Sequence, residues 1–335
     1  MKCRLLFLVA LVHLRLACSA EPSANIATNP PVNSGSGSST NNPVEAEYGA
    51  LLELDDAAAA EIDAWILGNQ KFEEQGAGVP REELGRRIQK RREPVRASYE
   101  SFIAKHPGHS RARLAFASFL EDSGDLDGAL EQMLKAKEVD PTNPAAWNNL
   151  ANYYGHFGEV TNAFSHYEKA IELDPNEPVY YQNFGTTVFL FRTAVKQYYG
   201  IDEQQVFDKA LALYSNSLAL DPTNFLLATD IAMTYYGIRP PRSEEATKAW
   251  KYALSHADGS LQREGVLIHL GRVALNAGQF SEARAYLNFV TNAELVALRD
   301  RVMRNVEKKE HSSTESPTNS APGMITNATT LVPLP

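Results

Sequence analysis

The chain has very little cysteine and no long apolar run. Among its 335 residues only Cys3 and Cys18 are cysteines, and both lie within the first twenty positions. If that segment is removed, the remaining protein has no thiol, which excludes disulfide bonds and thiol chemistry. The most apolar stretch, residues 5–12, is far too short to span a bilayer as a helix.

Acidic residues are absent from residues 1–20, which begin with Lys2 and Arg4 and end in small residues. A basic start, a short apolar run and a small-residue cleavage site are typical of a secretory signal. We therefore predict that residues 1–20 are a signal peptide and that the product is exported to the periplasm or cell envelope. An alternative is that Cys18 carries a lipid, as in bacterial outer-membrane lipoproteins, because Leu16-Ala17-Cys18 resembles part of their cleavage box.

Acidic residues outnumber basic ones in the whole chain, with 41 Asp and Glu against 32 Lys and Arg. The net charge of −9 argues against nucleic acid as the main partner, because phosphate backbones are bound by Lys and Arg. Basic residues concentrate only in residues 81–96, where glutamates are interleaved. This segment is either a patch for an acidic partner or anionic headgroups, or an ordinary solvated helix face.

Catalytic motifs are missing as well. The sequence has no G-x-x-x-x-G-K-[ST], no H-E-x-x-H and no G-x-S-x-G. His106 and His109 are close in sequence, but a zinc site needs three or four ligands. We therefore expect a protein that is not an enzyme and that uses no cofactor, no metal and no small-molecule substrate.

Helical periodicity is what the chain has in abundance, and it is clearest in residues 144–177. Two apolar stripes with helical spacing are separated by Gly158 and ended by Pro175, which cannot continue a helix. The stripes are Trp147, Leu150, Ala151 and Tyr154, then Ala163, Tyr167, Ala170 and Ile171. We expect the alanines to let the helices approach and the large residues to fill the space between neighbouring hairpins. A lone hairpin cannot bury such a face, so companions are predicted on both sides.

These residues resemble the tetratricopeptide repeat. Its signature positions are occupied by Trp147, Leu150, Ala151, Tyr154, Gly158, Ala163, Tyr167, Ala170 and Pro175. Similar residue types recur up- and downstream, so we predict five repeats over residues 110–292: 110–143, 144–177, 178–224, 225–260 and 261–292. The resemblance implies an all-α fold, an α-solenoid in which helical hairpins form a right-handed superhelix.

The third repeat is longer than the others and has an aromatic insertion around residues 191–203. We expect both of its helices to lengthen, with Gly200 in the turn and Asp202 as the next N-cap. The insertion could close over a binding groove as a lid or pack back as core. Aromatic stripes at helical spacing favour the core.

The flanking segments are predicted from composition and helix signals. Residues 21–44 are expected to be a disordered Ser/Asn/Pro-rich tether, and residues 311–335 a disordered tail. Residues 45–109 are predicted to be a three-helix extension that includes a degenerate half-repeat. Its first helix would start after Asp55 or Asp56 and end near Gln75, its second would cover residues 81–92, and its third would open at Pro94. A helix over residues 293–310 is expected to cap the array, burying Leu295, Leu298 and Val302.

The resemblance implies that a peptide or protein partner binds on a concave face lined by the first helix of each repeat. The candidate residues are Ser118, Asn148, Asn149, Asn152, His156, Gln182, Asn183, Thr186, Asp230 and Arg272. Side-chain amides can hydrogen-bond the backbone of an extended peptide whatever its sequence. Val179 and Asn183 stand where the family's carboxylate-binding members carry basic residues, so capture of a terminal carboxylate is not predicted.

The resulting hypothesis is a protein-interaction scaffold of the cell envelope. Two alternatives stay open: an accessory or targeting subunit of an envelope enzyme or assembly complex, and a structural envelope protein that associates with itself. A membrane would be involved only through a lipid on Cys18.

Overall fold

The structure is a computed structural model that describes residues 42–74 and 76–314. Within those ranges it has fourteen α-helices, one 3-10 turn and no strand, which confirms the all-α prediction for this part of the chain. None of these helices is both long and apolar enough to cross a membrane. The chain divides into two compact units at Asn224/Phe225.

In the described part of the chain, nine helices belong to the first unit and five to the second. The first comprises α1 (Pro43–Glu73), α2 (Arg81–Lys105), α3 (Ser110–Asp122), α4 (Leu126–Val139), α5 (Pro144–Phe157), α6 (Val160–Leu173), α7 (Pro178–Leu190), α8 (Arg192–Tyr199) and α9 (Glu203–Leu220). The second comprises α10 (Phe225–Thr234), the 3-10 turn (Tyr235–Gly237), α11 (Ser243–Ser255), α12 (Gly259–Asn276), α13 (Phe280–Asn288) and α14 (Ala293–Thr314).

The N-terminal hairpin α1–α2 differs from the prediction in its helix boundaries. α1 begins at Pro43, where the Asn42 side chain accepts the Val44 N–H, so Asp55 and Asp56 lie inside the helix and are not its N-cap. Proline suits this first position because its fixed φ is helical and its missing N–H has no partner there in any case. The Asp55 carboxylate accepts a 2.6 Å hydrogen bond from the Tyr99 hydroxyl.

The predicted break before Pro94 is also wrong. α2 runs unbroken from Arg81 to Lys105 with Pro94 inside it, so the extension has two helices and not three. The hydrogen bond that Pro94 cannot donate would have gone to the Lys90 carbonyl. Both residues are exposed, so water can satisfy that carbonyl.

Helices α3–α4, α5–α6 and α7–α9 pack as hairpins within the first unit. In the hairpin α5–α6, Leu150 and Tyr167 are buried, as expected, with 0% and 2% of their surface exposed. Trp147 and Tyr154 are only half-buried. Tyr154 still packs against the buried clusters on both sides of it, as expected, whereas Trp147 belongs to neither cluster.

Instead, Trp147 occupies a position that repeats as a hydrogen-bond donor. Its indole Nε1–H donates to the carbonyl of the proline six residues earlier. The same bond recurs every 34 residues: Arg113 to Pro107 (2.9 and 3.1 Å), Trp147 to Pro141 (2.9 Å) and Tyr181 to Pro175 (3.1 Å). Arg113 therefore replaces the aromatic residue without losing this link between consecutive hairpins.

The insertion in the third repeat forms a separate short helix. α7 ends at Leu190 and α8 follows, so only the second helix, α9, is lengthened. Gly200 ends α8 in the left-handed region (φ 66°), and Asp202 caps α9 in a capping box with Gln205, both as predicted.

The aromatic residues in and beside the insertion divide between core and surface, where Phe191 is 36% exposed. Phe189 and Tyr199 pack against the buried cluster that contains Phe164 and Phe184. Tyr198 is 45% exposed, yet its ring meets that of Phe164 edge-on at 5.2 Å.

In the second unit, α10–α11 and α12–α13 form helical pairs where the fourth and fifth repeats were predicted. The last helix, α14, buries Leu295, Val302 and Val306 in a cluster with residues of α12 and α13. It acts as the expected cap but continues to Thr314, so the first residues of the predicted tail are helical. The predicted signal peptide with Cys18, nearly all of the predicted tether and the rest of the predicted tail lie outside the described residues.

Candidate functional site

The first helices of three consecutive hairpins, α3, α5 and α7, lie side by side in the first unit. α5 touches both of the others, and Asn183 Nδ2 on α7 donates to Asn148 Oδ1 on α5 at 3.3 Å. We call the surface of these three helices the first-helix face. Its predicted site residues are Ser118 on α3, Asn148, Asn149, Asn152 and His156 on α5, and Gln182, Asn183 and Thr186 on α7.

The predicted amides do not all face solvent. Asn148 is completely buried and accepts the bond from Asn183, so its amide joins two helices. Asn152 is half-buried and accepts a 2.7 Å hydrogen bond from the Tyr167 hydroxyl of α6. These two asparagines therefore stabilise the face from within.

The link between Asn152 and Tyr167 has a counterpart in the next hairpin. There the hydroxyls of Thr186 and Tyr214 lie 3.0 Å apart. Thr187, next to Thr186, also donates to the Tyr167 hydroxyl at 3.1 Å, which connects the two hairpins. Burial, the largest cause, raises the pKa of Tyr167, so its hydroxyl stays protonated and available for these bonds at neutral pH.

The predicted residues that remain at the surface lie around this network. His156 and Thr186 are exposed, and Ser118, Asn149, Gln182 and Asn183 are half-buried. Near them α5 ends in Phe157, whose side chain is 45% exposed. The face thus presents hydroxyl, amide and imidazole groups to solvent. The side chains beneath them are held by hydrogen bonds inside the face.

Carboxylates dominate one end of the first-helix face. Burial, followed by the charge of Asp122, raises the pKa of Glu121 to about 7. Burial also raises the pKa of Asp122. The positive charge of Arg92 lowers it, and the negative charge of Asp63 raises it further. Asp55 on α1 has a pKa raised by burial first and also by the charge of Asp122. Two helices, α1 and α3, thus bring negative charge together here.

Sequence reasoning missed the contribution of α1 to this group of carboxylates. The reason is that the helix was predicted to start near Asp55. Asp55 was therefore taken as an N-cap, whereas it lies on an interior turn of α1. The signal that could have found it is Asn42-Pro43, an N-cap residue followed by proline.

Asp230 and Arg272 belong to the second unit and are both exposed. The Arg272 guanidinium lies over the Tyr236 ring, 5.1 Å from its centroid. The His269 ring stacks on the Trp250 ring, with the two ring centroids 4.1 Å apart. Burial first, and then the positive charge of Arg272, lowers the pKa of His269 to about 4. This histidine is therefore neutral at pH 7.

Across residues 42–74 and 76–314 no three His, Cys, Asp or Glu side chains are grouped so that they could hold a metal ion. The first-helix face accordingly offers hydrogen bonds and negative charge to a ligand.

Comparison with known proteins identifies the repeats. Two sequence profiles described as tetratricopeptide repeat match residues 144–177 and 96–144. The second match starts inside α2, where the degenerate half-repeat was predicted. A search of curated proteins found no match.

Several solved structures are similar at low sequence identity. A structure titled as a functional characterization of Pseudomonas aeruginosa pilF is 15% identical, covering 76% of this chain and 99% of that one, with a TM-score of 0.47. YrrB, described as a TPR protein with an unusual peptide-binding site, is 16% identical, covering 63% and 97%, with a TM-score of 0.46. MamA is 21% identical, covering 51% and 91%, with a TM-score of 0.40. Likeness at this level carries no information on a ligand or partner. What the sequence profiles establish is that residues 96–177 of this chain are tetratricopeptide repeats.

Proposed function

We propose that the protein is a non-catalytic interaction scaffold that binds an extended peptide or protein segment across the first-helix face. One observation carries this proposal. Polar side chains of the adjacent helices α5 and α7 are held in place by hydrogen bonds to each other and to α6, as in Asn183 to Asn148 and Tyr167 to Asn152. A face that is ordered before binding loses less side-chain entropy when a ligand arrives.

The carboxylates at one end of the face indicate the kind of segment. Glu121 and Asp122 lie where a ligand on α3 and α5 would end, and Asp55 adds to their charge from α1. A lysine or arginine in the ligand would relieve the mutual repulsion of these carboxylates. Electrostatic complementarity of this kind favours one partner over another and speeds association.

The experiment is selection of peptides on the full chain from a random display library, followed by affinity measurement with fluorescent peptides. Asp122→Lys reverses a charge on the face, and Glu138→Lys makes the same change at an exposed position on the second helix α4. We expect the selected peptides to be rich in Lys and Arg. Their affinity should fall at least tenfold with Asp122→Lys and stay within twofold with Glu138→Lys.

The asparagines inside the network are unsuitable for this test, because changing buried Asn148 would disturb the fold and the face together. Equal losses for the two lysine variants, or no peptide bound by the wild-type chain, would contradict the proposal.

We further propose that the protein is exported, on the strength of the basic start and short apolar run of residues 1–20. Mass measurement of the mature N-terminus tests this and separates the two routes. Cleavage after Ala20 leaves Glu21 first, whereas a lipoprotein begins with a lipid-bearing Cys18. A product found in the cytoplasm with Met1 intact would contradict export.

A further inference from the structure

The first turns of α1, residues 43–52, pack on residues 106–109, the short segment that joins α2 to α3. Tyr48 is buried there, and its ring centroid lies 4.7 Å from that of His109 and 5.8 Å from that of Phe102. The start of α1 is therefore held against α2 and α3 by a cluster of rings that includes a histidine.

The His109 ring joins the start of α1 to the start of α3, because each of its nitrogens has a separate partner. Nδ1 accepts from the Ala112 N–H at 3.0 Å and so caps α3. A backbone N–H can only donate, so Nδ1 carries no proton and the neutral ring carries its proton on Nε2. Nε2 lies 3.4 Å from Oε1 of Glu45 on α1.

Protonation of His109 conflicts with this arrangement. A proton on Nδ1 occupies the lone pair that accepts from Ala112, so two N–H groups then face each other and the cap is lost. Only 12% of the His109 side-chain surface is exposed, so solvent has little access to the ring in the closed structure. The ring can therefore take up this proton at low cost only after the first turns of α1 move away.

The surrounding charges modify this effect without reversing it. The titratable and charged groups at this joining segment are Glu45, Glu47 and Tyr48 on α1, Lys105 and His106 at the end of α2, and Arg111 on α3. Arg111 lies 3.2 Å from Glu45, so the carboxylate nearest Nε2 is partly neutralised. Burial, the largest cause, lowers the pKa of His109; the Arg111 charge lowers it further, and Glu45 opposes both.

We propose that His109 is a pH-sensitive latch, which holds the first turns of α1 closed while its ring is neutral and favours their opening when Nδ1 is protonated. Opening moves Tyr48 away from the Phe102 ring on which it packs. The start of α1 therefore alternates between a docked and an open form, and acid favours the open one.

The direction and size of the response follow from linkage. Above pH 6.5, the ordinary pKa of histidine, the ring is neutral in both forms and opening is independent of its titration. Below pH 6.5 the open form binds a proton that the closed form resists, so the closed form loses stability as pH falls. At pH 5.0 the opening equilibrium rises by at most about thirtyfold, the limit for a closed form that stays neutral.

Hydrogen exchange of the full chain at pH 7.5 and pH 5.0 tests the proposal through the protection factors of residues 44–52. His109→Asn is the informative variant, because asparagine is a good N-cap that does not titrate. The ratio of wild-type to variant protection factors should fall by about threefold to thirtyfold on acidification. Glu121, which titrates in the same range, is present in both chains, so its effect cancels in this ratio.

The control is His106→Asn, which removes the other histidine of the same segment. His106 Nε2 lies 3.2 Å from Glu47, a contact that protonation strengthens, so this variant should keep the acid response of the wild type. A wild-type ratio that does not change with pH, or an acid response that His106→Asn also abolishes, would overturn the proposal. So would an equal fall of the ratio in α5 and α6, because the effect would then be global and not confined to the start of α1.

Discussion

The hairpins α5–α6 and α1–α2 are both two antiparallel helices, yet they differ in how much of each is covered. α5 and α6 have 14 residues each, and both touch neighbouring hairpins. α1 and α2 are about twice as long, and only the halves nearest α3 contribute to the core. Helix length and helix burial are therefore set by different features of the sequence.

Length follows from local breakers, whereas burial follows from neighbours. In the repeat, Gly158 and Pro175 stop the helices after about four turns, which matches the length of the adjacent pairs. The sequence of α1 has no proline after Pro43 until Pro80, so that helix continues beyond the helices that could cover it. The same physics gives a tightly packed repeat in one place and, in the other, a projecting arm formed by residues 59–74 and 76–92.

The largest effect expected from this difference is in core truncation. Leu150 is completely buried in the cluster that joins two hairpins, so Leu150→Ala should lower the free energy of unfolding by about 3–4 kcal/mol. Ile62 is also buried, at 4% exposed, but it lies in the arm and outside that cluster. Ile62→Ala should cost only about 1–2 kcal/mol, because a two-helix arm can close over the cavity.

Urea denaturation measures the two losses, and hydrogen exchange shows where they act. Exchange should accelerate throughout α5 and α6 in the first variant and only in the arm in the second. Equal losses for the two variants would mean that the arm is as fully packed as the repeats.

A smaller effect is expected at Trp147. A fully buried tryptophan replaced by alanine costs about 3–5 kcal/mol, but this one is half-buried. Its ring contacts Lys137, whose Nζ lies 4.8 Å from the ring centroid, and its Nε1 bonds the Pro141 carbonyl. Trp147→Ala should therefore cost about 1–3 kcal/mol. Trp147→Phe, which removes the hydrogen bond and part of the ring but keeps an aromatic side chain, should cost about 1 kcal/mol. A loss as large as that of Leu150→Ala would place the indole in the core after all.

Trp147 also shows what the sequence could and could not predict. Helix pairs, their breaks at Gly158 and Gly200 and the cap at Asp202 follow from local chemistry, and all were predicted. Whether a side chain at a helical position is buried depends on the length and angle of the neighbouring helix. That is why Asn148, predicted as a ligand-binding amide, lies inside a contact between helices. The start of α1 and the continuity of α2 were missed because the sequence around Asp55 and Pro94 offers competing helix signals.

The next prediction concerns the carboxylates where the arm leaves the repeats. Burial raises the pKa of Glu121 to about 7, from 4.5 in the unfolded chain. Below pH 4.5 both states are protonated and no stability is lost, whereas above pH 7 the folded state bears the full cost of an ionised, partly buried group. Stability should therefore fall as pH rises from 4.5 to 7.

Glu121→Gln removes this penalty. It should stabilise the protein by about 1–2 kcal/mol at pH 8, after allowing for screening by solvent, and have no effect at pH 4. Thermal melts at the two pH values measure this, with Glu138→Gln on the exposed side of α4 as the control. A gain at pH 8 that persists at pH 4 would show that the effect does not come from the charge of Glu121.

The smallest expected effect comes from adding a single methyl group at one glycine in each region. A Cβ added at Gly85 in the arm meets no atom within 4 Å, whereas one added at Gly185 in α7 lies 3.0 Å from Cδ1 of Tyr214. Alanine favours a helix over glycine by about 0.5–1 kcal/mol, so Gly85→Ala should slow hydrogen exchange in the arm about two- to fivefold.

At Gly185 the same gain is offset, because the Tyr214 ring is buried and its hydroxyl is held by Thr186. The ring can therefore move away only by straining that contact. Gly185→Ala should therefore lower the free energy of unfolding by about 1 kcal/mol. If both alanines stabilised the protein equally, the close approach of α7 and α9 at Gly185 would not be a constraint, and the contrast between a packed repeat and an open arm would not extend to single side chains.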